Sequence, residues 1–418
     1  MGEIQKQSVK GTVFIYLGSI LGFVASGVLF PRIMNPDQIG LVYLMVAYAT
    51  IYSQFASLGF NSATTRMFSY FRNNELKHNG FLGLALLVSL LGFVIALMVF
   101  FLLKNNMLSE SNLLNDFWFY IIPLILFSLL FNTLDNYNKV LFNAVRGLFL
   151  KEFLQKFLTL SVAVLLGYKI IDFPTFILLY VVAICLPTII FIILLKRENQ
   201  FSFKTNFGFI DKKMRRTLIG VSLFGIVVSA TGIITINLDR IMIEQLIGGA
   251  EGLEMVGIYS ICFFYGGMVT LPSRAVVKIS SAFIADAWKN NDTDTINKIY
   301  YKSSLSLFIV GTLLAAGLWV NIENIMIITT KNFEPGRYVI LFIALAYLSE
   351  MLAGTSASIL GNSKKYHMQA LFMTIMIVLI IVTNYIFIPK YGIEGAAFAS
   401  LLSKAIYNLI RFIYLKIV

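Results

Sequence analysis

The chain has 418 residues, of which 58% are hydrophobic and only 13% charged, with a mean hydropathy of +0.81. A water-soluble fold has no way to hide that much apolar surface, so the solvent for most of the chain is a bilayer. The formal net charge is +12, but Lys and Arg cluster between apolar windows instead of forming a basic domain interleaved with aromatics, which excludes a nucleic-acid-binding module.

A hydrocarbon core about 30 Å thick is crossed by about 20 apolar helical residues, and windows of that size recur along the chain. The first covers residues 11–30. No small-residue cleavage site follows it, so it reads as a retained span and not a signal peptide. Spans follow at 39–58, 80–103 and 117–134. A fifth helix starts polar, with Arg146, Lys151, Glu152 and Lys156, and ends at Tyr168; a sixth covers 173–195. Glu152 and Lys156 are spaced as an i,i+4 ion pair, and this helix start is expected at the cytoplasmic surface. The second half repeats the count at 218–239, 256–271, 303–321, 338–360, 370–387 and 392–414. The predicted fold is an all-α polytopic membrane protein of about twelve transmembrane helices, in two six-helix lobes covering 1–200 and 201–418.

Orientation follows from the Lys/Arg bias of alternate loops. The loop between the sixth and seventh spans carries Lys196, Arg197, Lys204, Lys212, Lys213, Arg215 and Arg216. That places it, and both termini, on the cytoplasmic side of an inner (plasma) membrane. Across the midpoint, Arg32-Ile33-Met34 followed by Gly40-Leu41-Val42-Tyr43 matches Arg240-Ile241-Met242 followed by Val256-Gly257-Ile258-Tyr259. Six spans per half leave both halves with one orientation, so an axis along the membrane normal relates them. A central cavity between the lobes is expected.

These stretches, with residues 8–11, Pro31 to Gly40, Leu238 to Met242 and Ile388 to Ala397, give the chain its likeness to a known family. It resembles the polysaccharide-precursor flippases of the multidrug/oligosaccharidyl-lipid/polysaccharide exporter superfamily. The resemblance runs the whole chain and rests on the order and spacing of the stretches. It implies a two-lobed transporter that moves an undecaprenyl-diphosphate-linked oligosaccharide from the cytoplasmic to the outer leaflet by alternating access. It also implies membrane lipids and the polysaccharide polymerase machinery as partners. Many relatives carry two further C-terminal spans, so the resemblance leaves open a twelve-span member or a shortened one.

A lipid-linked diphosphate needs a polar cleft containing cations. Arg66, Arg274 and Lys278, at matching ends of the second and eighth spans, are candidates for binding it, Arg in bidentate fashion; the competing reading is snorkelling and orientation. Polar stripes at helical spacing support a cavity: Thr50, Ser53 or Gln54, Ser57, Asn61 and Thr64 in span two, Thr231, Thr235 and Asp239 in span seven, and Gly266, Thr270 and Arg274 in span eight. Such stripes equally serve as helix-packing contacts. On a continuous helix Arg66 would lie roughly 160° from Thr50 and so off the span-two stripe. Arg32 and Arg240 stand at the outer ends of spans one and seven, with Asp37 and Asp239 as partners, either as a gate or as interfacial anchors.

Lys404 lies about 18 Å into its span, too deep to snorkel, on a polar face with Ser400 and Asn408. It is assigned to substrate binding, and Glu350, equally central in its own span, to coupling. Pairing between them, or a proton or sodium relay, would offset an insertion cost of at least ~2.5 kcal/mol for each charge. Cys185 and Cys262 have no ligand spacing, His78 and His367 sit in separate loops, and there is no Walker A pattern. No catalytic residue, metal site or cofactor is therefore assigned, and energy is expected from an H+ or Na+ gradient or from consumption of the product. A small-molecule or drug exporter is the alternative, and would favour acidic cavity residues. An integral-membrane enzyme acting on lipid-linked sugars would need a substantial loop holding acid, base or nucleophile.

Overall fold

The structure, a computed structural model, describes residues 3–73, 75, 77–107 and 112–417, with the side chains of 3–8, 105–107, 112, 227–228, 331, 366 and 417 left out of the description. Every regular element among the described residues is helical. First come α1 (Glu3–Gly22), which passes through a π-helical stretch (Phe23–Leu29) into α2 (Phe30–Ile33), then α3 (Pro36–Ala56), α4 (Phe60–Phe71), α5 (Phe81–Met107), α6 (Asn112–Phe117), α7 (Ile121–Val140) and α8 (Ala144–Leu148). A second π-helical stretch (Phe149–Leu154) leads to α9 (Gln155–Gly167) and α10 (Phe173–Arg197). There follow α11 (Lys212–Ile247), α12 (Gly249–Gly267), α13 (Leu271–Lys289), α14 (Thr293–Val320), α15 (Ile322–Thr329), α16 (Arg337–Leu352), α17 (Ser356–Asn362) and α18 (Tyr366–Ile417).

Ten helical segments among the described residues are long and apolar enough to cross a membrane, against about twelve expected. Two of the expected spans share α18. Gly392 reverses that helix with φ 56 and ψ −134, a conformation that side-chain-bearing residues avoid. The halves on either side fold back antiparallel: Phe372 meets Tyr414 at 5.2 Å between ring centroids, Gln369 donates to Tyr407, Thr383 meets Ser403 and Phe387 meets Phe398. The expected fifth span falls on α8, the π-helical stretch and α9, a continuous run of helix over 144–167 whose Lys151, Glu152 and Lys156 leave it too charged to count as an apolar span.

The chain divides into two compact units, Met1–Ile33 with Leu44–Asn237, and Met34–Tyr43 with Leu238–Val418. This division differs from a cut after residue 200: residues 201–237 belong to the first unit and 34–43 to the second. A helix as long as α11, 36 residues or about 54 Å, outreaches one bilayer crossing, so its two ends pack in different surroundings.

In the first unit the core is aromatic, with Phe60, Phe68, Phe71, Phe81 and Tyr137 all buried. His78 belongs to it. The residue is 1% exposed, packs 5.1 Å from Phe68, and its Nδ1 accepts from the Asn73 amide, so this histidine lies in the loop between α4 and α5, as expected, but is buried against the core. Helix α10 starts on an Asp172 cap that accepts from Thr175 N–H at 3.1 Å. Hydrogen bonding from the Thr175 side chain, then from its backbone, holds the Asp172 carboxyl below the usual aspartate range. Asp292 caps α14 through Thr295 in the same way. Cys185 and Cys262 are buried free thiols.

Candidate functional site

The first unit carries an open cavity of about 500 Å³, lined by Thr50, Gln54, Asn61, Ser62, Thr65, Arg66, Asn132, Asn136, Lys151, Ser229 and Ile233. Half of the predicted span-two stripe lines it. Gln54 Nε2 also donates to Ser229 Oγ at 2.7 Å. The other half is packing: Ser53, Ser57 and Thr64 are buried and donate to the carbonyls of Thr50, Gln54 and Phe60 in their own helix.

Arg66 joins the cavity because the helix is not continuous. Leu58 (φ 46) and Gly59 (φ 69) adopt left-handed backbone between α3 and α4, which resets the helical phase. An alanine Cβ at Gly59 would stand 2.0 Å from the Ser222 carbonyl oxygen, so close approach as well as φ calls for glycine here. The Arg66 guanidinium sits 5.6 Å from the Phe224 ring centroid.

The second cation, Lys151, is a residue that sequence reasoning placed at the membrane surface. Its neighbours are paired elsewhere, Glu152 with Lys156 at 2.8 Å as expected and Arg146 with Glu198. Lys151 itself comes from the π-helical stretch Phe149–Leu154, a local underwinding of the helix common at functional sites. It lies over the Phe131 ring and lines both this cavity and a smaller one of about 130 Å³ that shares Thr50 and Asn132. The readable signal was Ser128, Asn132 and Asn136 at i, i+4, i+8 on α7. Among the described residues lining the larger cavity there are two cations and no carboxylate.

The second unit holds a buried polar spine. Asp239, with no exposed surface, accepts from Tyr259 OH at 2.5 Å, Ser400 Oγ at 2.6 Å and Asn384 Nδ2 at 2.7 Å. The carbonyl oxygen of Asn384 is buried with no hydrogen-bond partner. Arg240, 7% exposed, donates through Nε to Ser260 Oγ at 2.9 Å and lies 5.3 Å from the centroids of both Tyr43 and Phe263. This corrects the placement of both residues at an outer helix end. Helix α11 runs on to Ile247, about 12 Å further, and the chain turns at Gly248 and Gly249, both with positive φ. Asp239 and Arg240 interrupt the apolar window, yet backbone hydrogen bonding carries the helix to the first residues that break it.

One turn beyond Ser400, Lys404 meets Glu350 at 3.1 Å and stands over the Tyr347 ring at 3.4 Å. Asn408 donates to Ser349, and Arg411, 3% exposed, donates to Asn408 Oδ1 and to Tyr407 OH, each at 2.9 Å. The face of Ser400, Lys404 and Asn408 thus continues to Arg411, which the same spacing extended by three residues would have identified. The Lys404 side chain is 12% exposed and that of Glu350 50%, so the pair borders open space on the carboxylate side.

The remaining candidates lie outside these two clusters. Arg274 and Lys278 are exposed one turn apart on α13, in the second unit, whereas Arg66 belongs to the first. Gly266 serves packing, since a Cβ there would stand 2.8 Å from the Ile340 carbonyl oxygen. Arg32 is exposed in the last turn of α2, and Asp37 lies in the first turn of α3.

Residues 8–284 match the polysaccharide biosynthesis protein family. The chain belongs to this family. Among relatives, the uncharacterized membrane protein YabM of Bacillus subtilis (strain 168) is 29% identical over 221 residues, which cover 50% of this chain and 40% of that protein. The lipid II flippase MurJ in an inward closed conformation superposes with a TM-score of 0.75 at 14% identity, over 98% of this chain and 87% of that one. An inward-facing multidrug resistance MATE family transporter of the MOP superfamily gives 0.67 at 12% identity, over 97% of each chain. A MOP superfamily transporter from Pyrococcus furiosus gives 0.62 at 11% identity, over 99% and 95%. At these identities the likeness is one of fold, which this polysaccharide biosynthesis protein shares with flippases and exporters.

Proposed function

We propose that the chain is a flippase that carries an undecaprenyl-diphosphate-linked oligosaccharide from the cytoplasmic to the outer leaflet, acting as a carrier and not as an enzyme. One observation carries the reading: the cavity of the first unit offers Arg66 and Lys151 together with Gln54, Asn61, Asn132 and Asn136. Guanidinium and ammonium groups favour a diphosphate, and amides favour sugar hydroxyls. A carrier of cationic drugs would place carboxylates there instead. The Lys/Arg-rich loops set both termini on the cytoplasmic side of the plasma membrane. Coupling to H+ or Na+ is assigned to the second unit, where Asp239 and the buried Asn384 carbonyl oxygen supply oxygen ligands and the Glu350–Lys404 pair supplies a titratable centre.

The test is transport in proteoliposomes. A fluorescent undecaprenyl-diphosphate oligosaccharide should leave the outer leaflet, becoming inaccessible to an added quencher, with the wild-type chain and not with Arg66→Ala/Lys151→Met. Equal translocation by that variant would remove the cavity from the mechanism.

A further inference from the structure

A further cavity, of about 910 Å³, opens in the second unit where α13, α17 and α18 end and α14 begins. The α18 hairpin brings its two ends, residues 366 and 417, to the same side of the unit. Four lysines line the cavity: Lys289, Lys364, Lys365 and Lys416. No described lining residue is acidic. Its floor is apolar, with Ile296, Ile359, Leu360 and Leu415, and is continuous with a small core of Ile284, Ala287, Ile296 and Ile359. Trp288 forms one wall, its indole N–H donating to the Ile359 carbonyl at 3.0 Å.

Cations at the rim, apolar side chains beneath and a tryptophan at the junction match an amphiphile with an anionic head, and they sit where membrane-spanning helices leave the hydrocarbon. We propose that this cavity is a binding site for an anionic phospholipid of the surrounding membrane, its phosphate held by the lysines and the start of its acyl chains on the apolar floor. The volume exceeds what a phosphate head needs, which favours a lipid over a free anion. The site is distinct from the cationic cavity of the first unit and does not depend on what that cavity carries.

Trp288 supplies the probe. The Trp118→Phe/Trp319→Phe variant of the full chain keeps it as the single tryptophan. In nanodiscs, brominated phosphatidylglycerol should quench Trp288 more strongly than brominated phosphatidylcholine at equal mole fraction. Each lysine near an anionic head is worth about fivefold, so Lys364→Gln/Lys365→Gln should cut that preference by more than tenfold. Both positions are exposed, and Lys289→Gln/Lys416→Gln provides an independent pair should the first fail to fold. Equal quenching by the two lipids overturns the proposal. So does a Trp288 response to inorganic diphosphate in purely zwitterionic discs that matches the response to phosphatidylglycerol, because the lysines would then serve a soluble anion.

Discussion

Replacing Lys404 by Met tests whether the mid-span ion pair is structural or functional. Its Nζ lies 3.1 Å from Glu350 Oε2. Coulomb's law gives about 1.3 kcal/mol at that distance in bulk water and about 5 kcal/mol at an effective dielectric constant of about 20. Because half of the Glu350 side chain is exposed, screening favours the lower range, and about 2 kcal/mol is a reasonable value. The contact with Tyr347 at 3.4 Å adds about 1 kcal/mol after allowing for the sulfur–aromatic contact that Met retains. Lys404→Met should therefore destabilise by about 3 kcal/mol, read as a lower midpoint in detergent unfolding. In a double-mutant cycle with Glu350→Gln the coupling energy should be about 2 kcal/mol, the double variant being no less stable than Lys404→Met. Reversing the charges is a less clean alternative, because a carboxylate at 404 would feel the charge of Asp239 and an ammonium at 350 that of Arg411. If the pair serves transport, the neutral double variant is stable but exports no surface polysaccharide. Full export by Lys404→Met at normal protein level would refute the functional role, and a cycle energy near zero would refute the electrostatic argument.

Other expectations follow from single contacts. Asp239→Ala leaves the donors of Tyr259, Asn384 and Ser400 without their acceptor, at about 1–3 kcal/mol each, so membrane levels should drop sharply; Ser400→Ala, losing one such bond, should be tolerated. Gly59→Ala should lower the unfolding midpoint by more than the ~1–2 kcal/mol of a left-handed side chain, because the Ser222 carbonyl is also in the way, and it should impair substrate capture by shifting Arg66. Asp172 contributes stability above the unfolded aspartate pKa of about 3.9, and this is lost as pH falls through its lower folded value. The acid limb of a pH–stability curve should therefore flatten in Asp172→Asn.

The membrane class, the helical architecture and the pairing of Glu350 with Lys404 were legible in the sequence because each is set by local composition. A window of apolar residues has one stable solvent whatever surrounds it, and a deep lysine on a polar face calls for a partner. Helical phase is different, since every residue adds about 100° and one left-handed residue cancels what came before. Arg66 therefore fell off its stripe on paper and joins Gln54 and Asn61 only because the chain breaks at Leu58 and Gly59. Lys151 read as a surface lysine until the π-helical stretch and the asparagines of α7 gave it a cavity to face. Asp239 read as a helix end because the adjacent charges Asp239 and Arg240 interrupt the apolar window, whereas Tyr259, Asn384 and Ser400, from three other helical segments, bury it completely. Composition assigns each residue a solvent, but which polar groups meet depends on contacts between residues up to 175 positions apart, and these exist only once the helices have packed.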